Sequence, residues 1–143
     1  MSPTRQFRTH SADETIAVGR LLSNFLQPGQ MVVLRGDLGA GKTTLVKGIA
    51  AAFNAALQEN VTSPTFTLVH EYRGPQVTLF HIDLYRIDTE RELMTLAIDD
   101  LRSEPSSILL VEWGDKFEAI TGESEGEIVI ERTGESERLI LHR

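Results

Sequence analysis

The feature that most constrains this chain is a short apolar run, MVVLR at residues 31–35, that feeds directly into GDLGAGKT at residues 36–43. An apolar run with no polar alternation reads as a strand buried on both faces. The alanine-rich, proline-free stretch over residues 42–57 reads as a helix. A strand buried on both faces needs covering layers above and below its sheet, so this one unit points to an α/β architecture.

The glycine stretch fits G-x-x-x-x-G-K-[ST] through Gly36, Gly41, Lys42 and Thr43. Its glycines permit backbone angles and close approaches that a Cβ would block. Successive N–H groups form a concave anion nest, and the helix from Lys42 aims its N-terminus into it. Lys42 adds a mobile positive charge, and the Thr43 hydroxyl is a hard oxygen ligand suited to Mg²⁺. The stretch therefore reads as a cradle for a nucleoside triphosphate with magnesium.

Elsewhere the pattern supplies further elements. Ser11 with Glu14 forms a capping box that opens a helix to about Leu26, ended by Pro28-Gly29. FTLVHEY and VTLFHID, at 66–72 and 77–83, flank RGPQ and read as a hairpin. Thr89 with Glu92 opens a short helix through Ala97. ILLVE at 108–112 is a second buried strand, and EIVIER with ERLILHR, joined by TGES, reads as a terminal hairpin. Together they predict a P-loop NTPase-like α/β fold: one three-layer domain over residues 1–143, with a mixed central sheet and antiparallel hairpins. Residues 1–10 are expected to be flexible or an edge segment.

With 143 residues the chain fits one domain that buries a core without covalent staples. It has no cysteine, so disulfides and thiolate metal sites are excluded. Its net charge is −7, which argues against binding nucleic acid by bulk electrostatics. Any nucleic-acid role would run through a partner. The first ten residues lack the apolar core of a signal peptide, and the apolar runs are too short to span a bilayer. A cytoplasmic protein with no membrane role is expected.

A phosphate loop needs an acidic partner for its metal, at the end of a neighbouring strand. Glu112 ends ILLVE and Asp83 ends VTLFHID. One of them could hold Mg²⁺ while the other orients or deprotonates a water; sequence leaves the roles open. His81 shares a strand face with Asp83 and reads equally well as a hydrogen-bonded structural histidine. Ser63-Pro64-Thr65-Phe66 reads as a turn before a strand, or as a loop that senses the terminal phosphate. Arg86 could neutralise charge in cis or lie on the surface. Trp113, the only tryptophan, could cover the site, a partner surface or the core.

GDLGAGKTT, SPTF, HIDLYR and VEW, in this order and spacing, resemble the TsaE family, small P-loop ATPases of the bacterial tRNA threonylcarbamoyladenosine pathway. The resemblance runs from about Ser11 to Arg132. It implies ATP hydrolysis with Mg²⁺, and work with a TsaB–TsaD pair that holds the tRNA, so that tRNA is met only through these partners. The resemblance implies nucleotide contacts along Gly36, Asp37, Leu38, Gly39, Ala40, Gly41, Lys42, Thr43 and Thr44, with the phosphates on Gly39 to Thr44. It implies Thr43 and Glu112 as metal ligands, and Asp83 acting on water beside Lys42 and Glu112 as the catalytic set. Ser11 and Arg132 are the positions expected to complete the nucleotide pocket. Two other readings are a small-molecule kinase, for which no arginine-rich lid is evident, and a nucleotide-gated binding module with negligible hydrolysis. A GTPase would need N-K-x-D and D-x-x-G, which are missing. Alone, the protein is expected to be a monomer or weak oligomer.

Overall fold

The computed structural model describes residues 4–143. Strand β1 (Arg5–Thr9) pairs antiparallel at the sheet edge. Within the N-terminal segment residues 5–9 are thus an edge strand; residues 1–3 lie outside the described residues. Ser11, extended at φ −156°, accepts a 3.1 Å hydrogen bond from the Glu14 N–H and opens helix α1 (Ala12–Leu22). The helix stops short of Leu26 because a 3-10 turn, Ser23–Phe25, tightens its end.

Strand β2 (Met31–Arg35) leads through the glycine loop into α2 (Lys42–Ala52). The helix ends five residues before the expected Leu57. Asn54 adopts the left-handed region at φ 54°, its N–H bonds the Ala51 carbonyl, and the Ala55 N–H bonds that of Ala50. This is the glycine-type helix stop, made by asparagine. Strand β3 (Val69–Arg73) starts three residues later than expected, because Leu68 N–H closes a turn onto the Pro64 carbonyl at 2.6 Å. Phe66, expected to start the strand, is instead 84 % exposed. Strand β4 (Thr78–Asp83) completes the hairpin.

Helix α3 (Glu90–Thr95) is capped by Thr89, and a second helix, α4 (Ile98–Ser103), follows it unanticipated. Ala97 at φ 50° breaks the two apart. Strand β5 (Ser107–Glu112), the one-turn helix α5 (Glu118–Thr121) and the hairpin of β6 (Gly126–Arg132) and β7 (Arg138–His142) complete the chain.

The seven strands form one sheet in the order β1-β7-β6-β2-β5-β4-β3. Strands β6, β2, β5 and β4 run parallel at the centre, and β1, β7 and β3 add antiparallel edges. The mixed three-layer α/β arrangement expected from the sequence is therefore present. Val32, Leu34, Ile108 and Leu110 meet Leu45 and Ile49 of α2 on one face. Met31, Val33, Phe80 and Leu109 meet Leu93, Ile98 and Ile120 on the other. Continuous apolar strands follow from this double burial.

Helices α1 and α2 touch backbone to backbone. A Cβ on Gly48 would lie 2.0 Å from the Ile16 carbonyl oxygen, and one on Gly19 would lie 2.3 Å from that of Leu45. Beyond α1, the β7 end packs His142 against Phe25, ring centroids 6.0 Å apart, with Arg5 stacked on the other ring at 3.7 Å. Burial, and then the neighbouring Arg5 guanidinium, hold His142 below the ordinary histidine pKa.

The native state thus favours neutral His142, so the unfolded chain binds the proton first as pH falls. This contribution to stability is complete above the unfolded value of 6.5 and is lost as pH drops from there through the lower folded value. Urea unfolding at about pH 7.5 and about pH 5 should show the loss, and the difference should shrink in His142→Phe.

Candidate functional site

The loop from Gly36 to Gly41 closes under specific steric demands. A Cβ on Gly36 would fall 2.7 Å from the Ile130 carbonyl oxygen of β6, so only glycine lets β6 run this close. Gly39 and Gly41 adopt φ 80° and 108°. Helix α2 starts immediately after Gly41, with no side chain capping its first N–H groups. Those donors and the helix dipole are available to an anion. Thr43 and Thr44 are half-buried in the first turn.

Lys42 is buried, and its amine is folded back onto its own loop. It donates to the Gly36 carbonyl, lies 3.4 Å from that of Asp37 and 3.6 Å from Glu112 Oε1. The Trp113 ring centroid lies 5.1 Å from the amine. Trp113, held at φ 60°, also meets the Tyr85 ring at 5.1 Å. The single tryptophan thus flanks the loop lysine.

Strands β4 and β5 are parallel and in a register that sets Asp83 beside Glu112. Both carboxylates are 3 % exposed. Their partners differ. Glu112 turns one oxygen to Lys42 and hydrogen-bonds the other to His81 Nε2. His81 is fully buried, and its bond to Glu112 makes it part of this network. Asp83 accepts the Tyr85 N–H at 2.8 Å through Oδ1 and the Thr65 hydroxyl at 2.9 Å through Oδ2. Thr65 in turn meets Ser63 Oγ at 2.8 Å. The SPTF turn therefore touches Asp83, and Arg86 lies 5.4 Å from the Phe66 ring centroid.

Two hollows flank the loop. One, of about 170 Å³, is lined by Ser11, Thr15, Gly41, Thr44, Ser136 and Arg138. The other, of about 680 Å³, is lined by Gly36, Asp37, Leu38, Trp113, Arg132 and Arg143 among others. Ser11 and Arg132 thus line different hollows. The Ser11 hydroxyl caps α1, and Arg132 bonds the Gly134 and Glu135 carbonyls of its own hairpin turn. On the floor of β6, Glu127 pairs with Arg143 and Arg35. Burial pushes its carboxyl up, but these arginines outweigh it and hold the pKa below the ordinary value.

Sequence reasoning missed Arg138. Its Nε donates to the Ala40 carbonyl at 2.7 Å, and its Nη1 donates to the hairpin turn, so β7 braces the glycine loop from outside. A cation at the start of a terminal strand carries no local mark of this contact across 98 residues.

A strand, glycine loop and helix, with buried acids ending the next two parallel strands, define a P-loop NTPase-like fold, a scaffold built to hold nucleotides. The chain belongs to the TsaE family. The family model described as Threonylcarbamoyl adenosine biosynthesis protein TsaE matches residues 9–140. TsaE of Bacillus subtilis is 38 % identical over 135 residues, covering 94 % of this chain and 82 % of the relative. TsaE of Haemophilus influenzae is 42 % identical over 105 residues, covering 73 % of this chain and 65 % of the relative. A crystal structure of Bacillus subtilis YdiB superposes with a TM-score of 0.71 at 32 % identity, covering 99 % of this chain and 86 % of that one. Among the described residues no helix is long and apolar enough to cross a membrane.

Removal of the outer brace is expected to loosen the loop without unfolding the sheet. Arg138→Ala should speed amide hydrogen exchange across residues 37–41 by about tenfold, as read by NMR, while the far-ultraviolet spectrum stays unchanged.

Proposed function

We propose that this chain is an ATPase domain over residues 1–143 that binds and hydrolyses ATP with Mg²⁺. It acts on TsaB–TsaD as a nucleotide-driven switch during tRNA threonylcarbamoyladenosine modification. The observation that carries the reading is the convergence of Lys42, Glu112 and Asp83 at the mouth of an uncapped helix. Membership in a family named for that biosynthesis supports the pathway. A role in tRNA modification sets the protein in the cytoplasm.

The donor set suits magnesium. The Thr43 hydroxyl and the Glu112 carboxylate are hard oxygens on the two elements that face the loop. Among the described residues no three His, Cys, Asp or Glu side chains gather into a metal cage. Magnesium commonly takes one or two protein oxygens and completes its shell with phosphate and water. When bound, it neutralises charge developing on the phosphate oxygens.

The chain's own residues do the rest. The α2 N–H groups and Gly39 to Thr44 would hold the phosphates, and Lys42 would exchange its loop carbonyls for phosphate oxygen. Asp83, fixed by Tyr85 and Thr65, would orient the attacking water and take its proton. Ser11 and Arg132 would border the nucleotide from the two hollows. Leu38, Phe66 and Tyr85 are exposed around this mouth, which supports closure by a protein partner. Because the acidic chain repels a polyanion, tRNA would be met through TsaB–TsaD.

Phosphate release should be slow for the protein alone and rise about tenfold or more when TsaB–TsaD is added. Absence of both binding and any rate change would refute the coupling. Separately, Asp83→Ala should keep ATP affinity within about threefold yet lose most turnover, whereas Lys42→Ala should lose affinity itself. Equal loss of affinity in both would remove Asp83 from water activation.

A further inference from the structure

The segments after β4 and β5 are laced by one side chain outside the set described above. Lys116 lies four residues beyond Glu112, in a 3-10 turn, Gly114–Lys116, whose last N–H bonds the Trp113 carbonyl at 3.3 Å. Its amine donates to three main-chain carbonyls: Leu84 at 3.2 Å, Tyr85 at 3.1 Å and Ile87 at 2.6 Å. An ammonium has three donors, and all three are used here within one four-residue turn. A lysine serving only solubility would leave its head in water and its stem on the surface. Here the side chain is 30 % exposed, and the exposed Asp88 carboxylate stands 3.9 Å away as a further anchor.

The turn that Lys116 grips is the one that holds Asp83. Ile87 N–H closes it onto the Leu84 carbonyl at 3.0 Å, and the Leu84 N–H bonds the Glu112 carbonyl at 3.0 Å. Tyr85 gives its N–H to Asp83 Oδ1 and its ring to Trp113. We propose that Lys116 is a positioning residue. By clamping the 84–87 turn to the segment that follows Glu112, it fixes the Tyr85 N–H against Asp83 and keeps the two strand-end acids in one geometry. The proposal rests on the ATPase reading for its kinetic consequence. Its structural consequence, an ordered Tyr85 amide, stands apart from that reading.

The clamp lies on the β4 and β5 sides of the site, whereas the phosphate cradle is made by the glycine loop and α2. Its loss should therefore appear in turnover and not in affinity. The test compares the unvaried protein with Lys116→Met, which keeps the stem, and Lys116→Arg, which keeps charge and several donors. Steady-state phosphate release, ATP titration, Tyr85 amide exchange by NMR and Trp113 fluorescence are measured on each. In Lys116→Met, kcat should fall by about tenfold to a hundredfold with KM and Kd within about twofold. Tyr85 exchange should quicken and Trp113 emission shift, and Lys116→Arg should recover most of each change. Unchanged kcat, a rise in KM matching the loss in kcat, or no recovery in Lys116→Arg would overturn the proposal. If the unvaried protein releases no phosphate with or without TsaB–TsaD, the ATPase reading fails instead. Tyr85 exchange then decides the clamp, and an unchanged rate in Lys116→Met overturns it. Should Lys116→Met not fold, Lys116→Leu, which likewise carries no donor, takes its place under the same outcomes.

Discussion

Lys42 and Glu112 form an ion pair away from water, and much of the fold is arranged so that this pair can exist. Withdrawing such charges from solvent costs about several kcal/mol per ion unless other polar groups replace the lost hydration. The replacements come from separate parts of the chain: the Gly36 carbonyl from the loop and His81 from β4. The pair therefore exists only when β2, β4, β5 and α2 are all in place. It also explains why a fully buried histidine stands among Leu79, Phe80 and Ile82 of β4. Removing His81 would strand one Glu112 oxygen in a dry interior.

The parallel register of β4 on β5 supplies the second half of the site. It places Asp83 and Glu112 side by side at the C-terminal ends of two neighbouring strands, yet each is held by different neighbours. Glu112 answers to a lysine and a histidine, and Asp83 answers to a hydroxyl and a backbone amide. Two adjacent carboxylates with different partners are suited to different tasks. That division gives the two acids different chemical surroundings without any difference in depth.

The glycine loop, the N-caps Ser11 and Thr89 and the two strand-end acids were legible because each is a local pattern, decided by neighbours a few residues apart. The end of α2 was written in Asn54, but alanines on both sides obscured it. Helix α4 was hidden because it restarts from Ala97 in a left-handed conformation that a residue with a Cβ rarely adopts. Strand β1 lacks clean alternation and gains its partner only from β7 at the far end of the chain. Arg138 and Lys116 act on backbone carbonyls of other elements, and a carbonyl leaves no trace in the residue type that carries it. What escaped the sequence was therefore mostly long-range main-chain chemistry.

The paired glycines between α1 and α2 carry a consequence for how the protein can diverge. Ile16 and Leu45 present carbonyls where even a methyl group has no room, so the two helices share one backbone surface. Helix α1 carries Ser11 at its start, and α2 begins at Lys42. Any lineage that enlarges Gly19 or Gly48 must shift one helix, and with it the spacing between the Ser11 hollow and the glycine loop. The N-terminal helix is thus free to vary on its outer face but is inherited on its inner face as part of the loop itself.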